Sequence, residues 1–165
     1  MPANNPVSGE RLEGLESALV KRLPLIIDEV GRLLSGDWPD YSQFLTDESA
    51  DVVKAAEAAI RRLVTVAEQG LSGPAQHALP DSAAQDALFE EIGRLQWREG
   101  RELTTLLSAY QLGARVAWHH VSATALETGV PPQVLAALAE AVFLFVDQLS
   151  SSSARGYVME QQEAA

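Results

Sequence analysis

An all-α fold of about six helices in one domain, packed as a bundle or as a globin-like assembly without haem, follows from three features of this 165-residue sequence. Apolar residues recur at spacings of three and four along almost every segment, the period that lines one face of a helix. The apolar/polar alternation of a half-buried strand is found nowhere. Glycine and proline fall mainly between the periodic segments, where they stop one helix and start the next.

The first pattern places Leu12, Leu15, Leu19, Leu23, Ile26, Val30 and Leu33 on one helical face. Pro24 lies within it. A proline removes a backbone donor and crowds the preceding turn, so two helices are expected, or one kinked at Leu23. Gly36 and the Trp38-Pro39-Asp40 turn close the segment. Thr46 or Asp47 can cap the next helix, which turns Val52, Ala56, Ile60, Leu63 and Ala67 inward, pairs Glu57 with Arg61 outside and closes at Gly70. Gly70 to Asp81 reads as the longest loop. Ser82 and Gln85 then form a capping box for a helix expected to bury Leu88, Ile92 and Leu95 and to end at Arg98-Glu99-Gly100.

Between Arg101 and Thr128 two apolar stripes run side by side. Leu103, Leu107, Tyr110, Ala114, Ala117 and Val121 form one; Leu112, Val116, Ala123 and Leu126, interrupted by His119, form the other. So wide an apolar arc predicts a central helix. Gly129 caps it, and Pro131-Pro132 open the last helix, which carries Leu135, Leu138, Val142, Phe145 and Leu149 on one face and Phe143 and Val146 on a neighbouring one. Met159 to Ala165 favour helix and hold no stop signal, so residues 150–165 read as an outgoing linker helix, belonging either to an excised part of a longer protein or to a free-standing relative. Residues 1–9 read as a flexible N-terminus, and residues 1–165 as one regulatory domain.

Composition narrows the function. Apolar residues make up 47% and charged residues 21%, ordinary values for a chain that folds around a core. The formal net charge of −11 repels phosphate backbones, and no basic cluster exceeds the pairs Lys21-Arg22 and Arg61-Arg62, so direct nucleic-acid binding is not expected. With no cysteine there is no disulfide, thiolate nucleophile or Cys-ligated zinc. The polar N-terminus lacks a signal-peptide pattern, and the longest strictly apolar runs, Val134 to Ala139 and Ala141 to Val146, are six residues each. A spanning helix needs roughly 20 apolar residues, so no membrane insertion is expected and the cytoplasm is the expected location.

No constellation points to catalysis. His119 and His120 are adjacent on a helix, so their side chains diverge by about 100° and do not chelate one metal as an i, i+4 pair does. His77 falls in the proline-containing loop. Nothing else marks a haem pocket, no Gly-x-Ser-x-Gly element is present, and the acidic pairs Glu90-Glu91 and Asp47-Glu48 point apart. No cofactor or metal is expected. One polar line stands out: Gln111, Arg115 and His119 follow each other at i, i+4 and i+8 beside apolar stripes. Such a row either lines a small-ligand site or leaves Arg115 to pair with a neighbouring carboxylate at the surface. Trp118, on the side that carries Thr104, Ser108, Arg115 and Ser122, is either an interface anchor or a residue buried under the loop or the N-terminal helix. Phe143 is the second candidate interface residue.

The block from Gly93 to Arg101 (GRLQWREGR) and the following Leu106 to Trp118 (LLSAYQLGARVAW) resemble the N-terminal domain of actinobacterial PucR-type transcriptional regulators. That domain is in turn similar to the N-terminal sensor domain of RsbR-like stressosome proteins. Leu138 to Phe143, Asp147 and Gly156-Tyr157 fit the same pattern, and the resemblance spans roughly Leu12 to Gln162. It implies an all-α, globin-related domain that binds no haem, dimerises, catalyses nothing and passes a signal to a helix-turn-helix domain. No helix-turn-helix or basic recognition helix is found in these 165 residues. The expected function is therefore a signal-sensing, dimerising regulatory domain with a small-molecule effector or protein partner. The alternative is a stressosome-type interaction module without a small ligand. An enclosed polar cavity favours the first, a broad exposed apolar patch the second.

Overall fold

The computed structural model describes the backbone of residues 6–47, 49–72 and 83–165 and the side chains of residues 12–47, 49–69 and 86–165. Six helices make up these residues, with no strand among them: α1 (Pro6–Asp37), α2 (Pro39–Asp47), α3 (Ser49–Ser72), α4 (Ala83–Arg98), α5 (Leu103–Thr128) and α6 (Pro132–Ala164). The fold is an all-α bundle. Of the expected flexible N-terminus, residues 1–5 fall outside the described residues and Pro6 to Gly9 instead begin α1; most of the 70–81 loop, His77 and the Ser82 cap also fall outside.

Pro24 does not divide α1, which runs through it for 32 residues. The proline is exposed, so water can satisfy the carbonyl its missing N–H leaves free. The Trp38-Pro39-Asp40 turn is also the start of a helix. Pro39 takes the first helical position, where a missing N–H costs nothing, and the Trp38 carbonyl accepts from the amides of Tyr41 and Ser42 at 3.1 and 3.2 Å. Thr46 and Asp47 thus lie in the last turn of α2 and are not the cap of α3. Thr46 donates to the Ser42 carbonyl, and Asp47 accepts from the Gln43 amide at 2.8 Å. Gly70 does not end α3, which continues to Ser72.

The central core joins four helices. Leu12, Leu15, Leu19 and Leu23 of α1 meet Ile60, Val64 and Ala67 of α3, Val121 and Ala125 of α5, and Val134 and Leu138 of α6. Towards the end of α1 the buried position is Leu34, while Leu33 is exposed. Gly129, at φ 75°, takes the left-handed conformation that ends α5, and its amide reaches back to the last turn.

The second half of the molecule is built differently. α4 lies along the C-terminal half of α6, so residues 150–164 continue α6 and are packed for much of their length. The expected α4 core residues Leu88 and Leu95 are 46% and 45% exposed, and Ile92 is half-buried. The buried positions are Gly93 and Gln96, with Phe89 beside them, and they face Ser152, Ser153 and Gly156 of α6. A Cβ on Gly93 would land on the Ser153 backbone, and one on Gly156 would land on the Glu90 backbone. The helices therefore cross backbone to backbone, and small residues form the contact where large apolar ones were expected. α6 likewise buries Val134, Leu138, Ala141 and Leu149, leaving Leu135, Val142 and Phe145 half-buried.

Candidate functional site

The polar row on α5 is solvent-facing. Thr104, Ser108, Gln111, Arg115 and His119 are all exposed, the 3-4 spacing of the outer side of a helix whose inner side buries Leu106, Ala109, Val116 and Val121. Gln111 and Arg115 make no side-chain hydrogen bond or ion pair with other described residues. His119 touches the edge of His120, with ring centroids 5.6 Å apart. The structure thus brings the three residues onto one open face and encloses none of them. Trp118 is half-buried against the central core, whereas Phe143 on α6 is 70% exposed.

Beside this row, α1 and α5 are tied by polar groups. His120 Nε2 lies 2.5 Å from a Glu29 carboxylate oxygen, and Arg22 donates to Thr124 at 2.6 Å. The hydrogen bond with His120 is the main cause holding the Glu29 carboxyl below its ordinary value of 4.5; burial opposes it, and the charges of His120, Arg32 and His119 add to it. The carboxylate form is favoured by folding, so this contribution is present above about pH 4.5 and fades as pH falls through the lower folded value.

At the opposite end a polar corner connects four helices. Tyr41 of α2 donates to the Gln96 side-chain oxygen at 2.8 Å, and the Gln96 amide donates to the Glu102 carbonyl at 2.9 Å. Gln96 is only 3% exposed, so pairing both ends of its amide avoids an unsatisfied buried group. Tyr157 of α6 donates to the Arg101 carbonyl and stacks its edge on Trp97, while Arg101 pairs with Asp40 and sits over the Tyr41 ring. Glu160 on α6 receives both Arg94 and Arg98 of α4, at 2.8 and 3.1 Å. Deeper in, Tyr110 and Ser153 share a hydrogen bond of 2.8 Å, and Ser153 donates to the Phe89 carbonyl. Burial pushes the Tyr110 phenol up to about 12, so it stays a neutral hydroxyl. Helical spacing did not bring these groups together; the signals were the Gly93–Arg101 and Gly156-Tyr157 segments that carry the resemblance and the small residues at Ser152, Ser153 and Gly156.

The middle of α6 is the largest departure from a closed core. Between Ala139 and Gln148 only Ala141 is fully buried, although Val142 to Val146 are all apolar. Although its uninterrupted apolar runs are short, α6 is by length and composition long and apolar enough to cross a membrane, and 22% of the stretch that qualifies is buried. Next to it a groove of about 300 Å³ is lined by Asp86, Leu144, Asp147, Gln148, Ser151, Ser152 and Arg155. In this groove Ser152 donates to Asp86 at 3.1 Å and accepts from Arg155 at 3.3 Å, and such a surface can carry a partner helix.

The family model described as the PucR-like N-terminal domain matches residues 12–165 of this chain. Comparison with curated proteins and with solved structures returned no match.

Proposed function

Because the chain belongs to the PucR-like N-terminal domain family, we propose that it is the signal-sensing regulatory domain of a transcriptional regulator and that it works as a homodimer in the cytoplasm. The observation that carries the dimer is the apolar midsection of α6, with Phe143 70% exposed. Exposed aromatic and aliphatic side chains grouped on one element mark association surfaces. At a net charge of −11 the domain repels DNA, so DNA contact falls to another part of such a regulator.

The experiment is mass by light scattering over a concentration series for the wild type and Phe143→Asp. A concentration-dependent dimer is expected for the wild type, and a dissociation constant raised at least tenfold for the variant, with unchanged helical content. A wild type that stays monomeric at every concentration rejects the dimer.

For sensing, the reading rests on the open row of Gln111, Arg115 and His119. An exposed guanidinium next to an amide and an imidazole suits a small anionic effector or an acidic patch of a protein partner. The second source has an observation in its favour: the row is exposed and unenclosed, which fits a protein surface better than a buried small molecule. In either case the effector must bind two packings of the helices with different affinity. Arg115→Ala is expected to abolish the effector-induced rise in melting temperature without lowering the melting temperature of the free protein. An unchanged effector response removes Arg115 from the site.

A further inference from the structure

The exposed face of α6 is symmetric in sequence about one residue. Leu144, Asp147, Ser151, Arg155 and Val158 follow at spacings of three, four, four and three. At 3.6 residues per turn, Leu144 and Val158 project within about 20° of Ser151 and Asp147 and Arg155 within about 40°, so all five share one face. Phe143 and Met159 flank the two ends, and both are exposed, as is Val158. Reading the face in either direction gives an apolar end, a charge, a small hydroxyl, the opposite charge and an apolar end. A twofold axis requires that a surface fit a copy of itself turned end to end.

We propose that two copies of the chain pair antiparallel through α6, crossing at Ser151. This rests on the homodimer reading above and goes further by fixing its axis. In that register Asp147 faces Arg155 of the second copy twice over, Leu144 faces Val158 and Phe143 faces Met159. The commonest helix packing class interlocks i, i+4 ridges, and Asp147, Ser151 and Arg155 form such a ridge. Ser151, small and exposed, permits close approach at the crossing point.

The charges also fit. Asp147 makes no ion pair with other described residues of its own chain. Arg155 is bound to Glu90 at 2.9 Å and to Ser152 at 3.3 Å, yet its side chain remains 54% exposed. Its remaining donors can take a second carboxylate, since a guanidinium has five. Asp86 and Glu90 on α4 are the other carboxylates near this face. Registers centred on Asp147 or on Arg155 would instead set that charge against its own copy.

Cysteine cross-linking provides the test, since the chain has none of its own. Ser151→Cys is expected to oxidise to a covalent dimer, because residues at a twofold crossing come within the Cα separation of roughly 4.4–6.8 Å that a disulfide needs. Ser108→Cys, on the outer face of α5, is expected to stay uncross-linked. Asp147→Arg and Arg155→Asp are each expected to weaken the dimer at least tenfold by light scattering. Mixing the two variants, or combining both changes in one chain, is expected to restore it. Circular dichroism confirms folding of each variant. A dimer that forms in solution but neither cross-links through position 151 nor responds to the charge changes overturns the axis while leaving the homodimer standing. A monomer at all concentrations overturns both.

Discussion

Gly156→Ala should lower the stability of the folded chain by about 3 kcal/mol, the upper part of the range for overpacked sites. The new methyl group has no rotamer to escape through, and what it meets is the Glu90 backbone of α4. Gly93→Ala is expected to act alike from the other side, against the Ser153 backbone. Helix propensity argues the opposite, since alanine is favoured over glycine inside a helix by about 1 kcal/mol. The steric term decides at these two positions because relief requires α4 and α6 to move apart, which would also stretch the Ser153–Phe89 hydrogen bond. At Gly113 nothing lies within 4 Å of a built Cβ. There the propensity term acts alone, and Gly113→Ala should be slightly stabilising. Urea unfolding followed by far-ultraviolet circular dichroism measures all three, and a Gly156→Ala chain as stable as the wild type would show that the helices do not touch.

Leu138→Ala is the second large effect, with an expected loss of about 3 kcal/mol and a fall in melting temperature of roughly 6–12 °C. Leu138 is fully buried where α1, α3, α5 and α6 meet, so each of the four helices loses contacts when the side chain is cut back. The cavity cannot close by shifting one helix without disturbing the other three. Leu126→Ala, which removes the same atoms from a side chain 67% exposed on α5, should change stability by less than about 0.5 kcal/mol. Thermal unfolding of the two variants side by side separates burial from residue type. Similar losses for both would mean that Leu126 is covered in solution, and the obvious cover is a second chain.

The residues that were legible in the sequence are those whose burial follows from a large apolar side chain at helical spacing. Leu12, Leu15, Leu19 and Leu23 fall on the face that periodicity assigns them, and Gly129 ends α5 where a left-handed residue is needed. α4 escaped the same reasoning because hydrophobic counting seeks big side chains, whereas a close helix crossing is made by having almost none. Leu88 and Leu95 therefore looked like its core, and Gly93 and Gln96 are. Pro39 was readable as a turn but not as a helix start, since both uses of proline exploit the same fixed φ. For Gln111, Arg115 and His119 periodicity gave the shared face but not its surroundings. Phase along one helix says which side chains travel together; only the neighbouring helices decide whether they meet solvent.

The contact between Gly93 and Gly156 also has a mechanical side. Two helices separated by side chains can slide past each other while those side chains exchange rotamers, but helices in backbone contact have no such play. α4 and the C-terminal half of α6 therefore behave as one stiff plank, clamped further by Glu160 holding both Arg94 and Arg98. Its near edge is the Gly100 corner, where the chain changes direction at φ 71°. The C-terminal turns of α6 lie beside that corner, through the Arg98–Glu160 pair and the Tyr157 hydrogen bond to the Arg101 carbonyl, so the end of α6 is held where the plank turns towards α5.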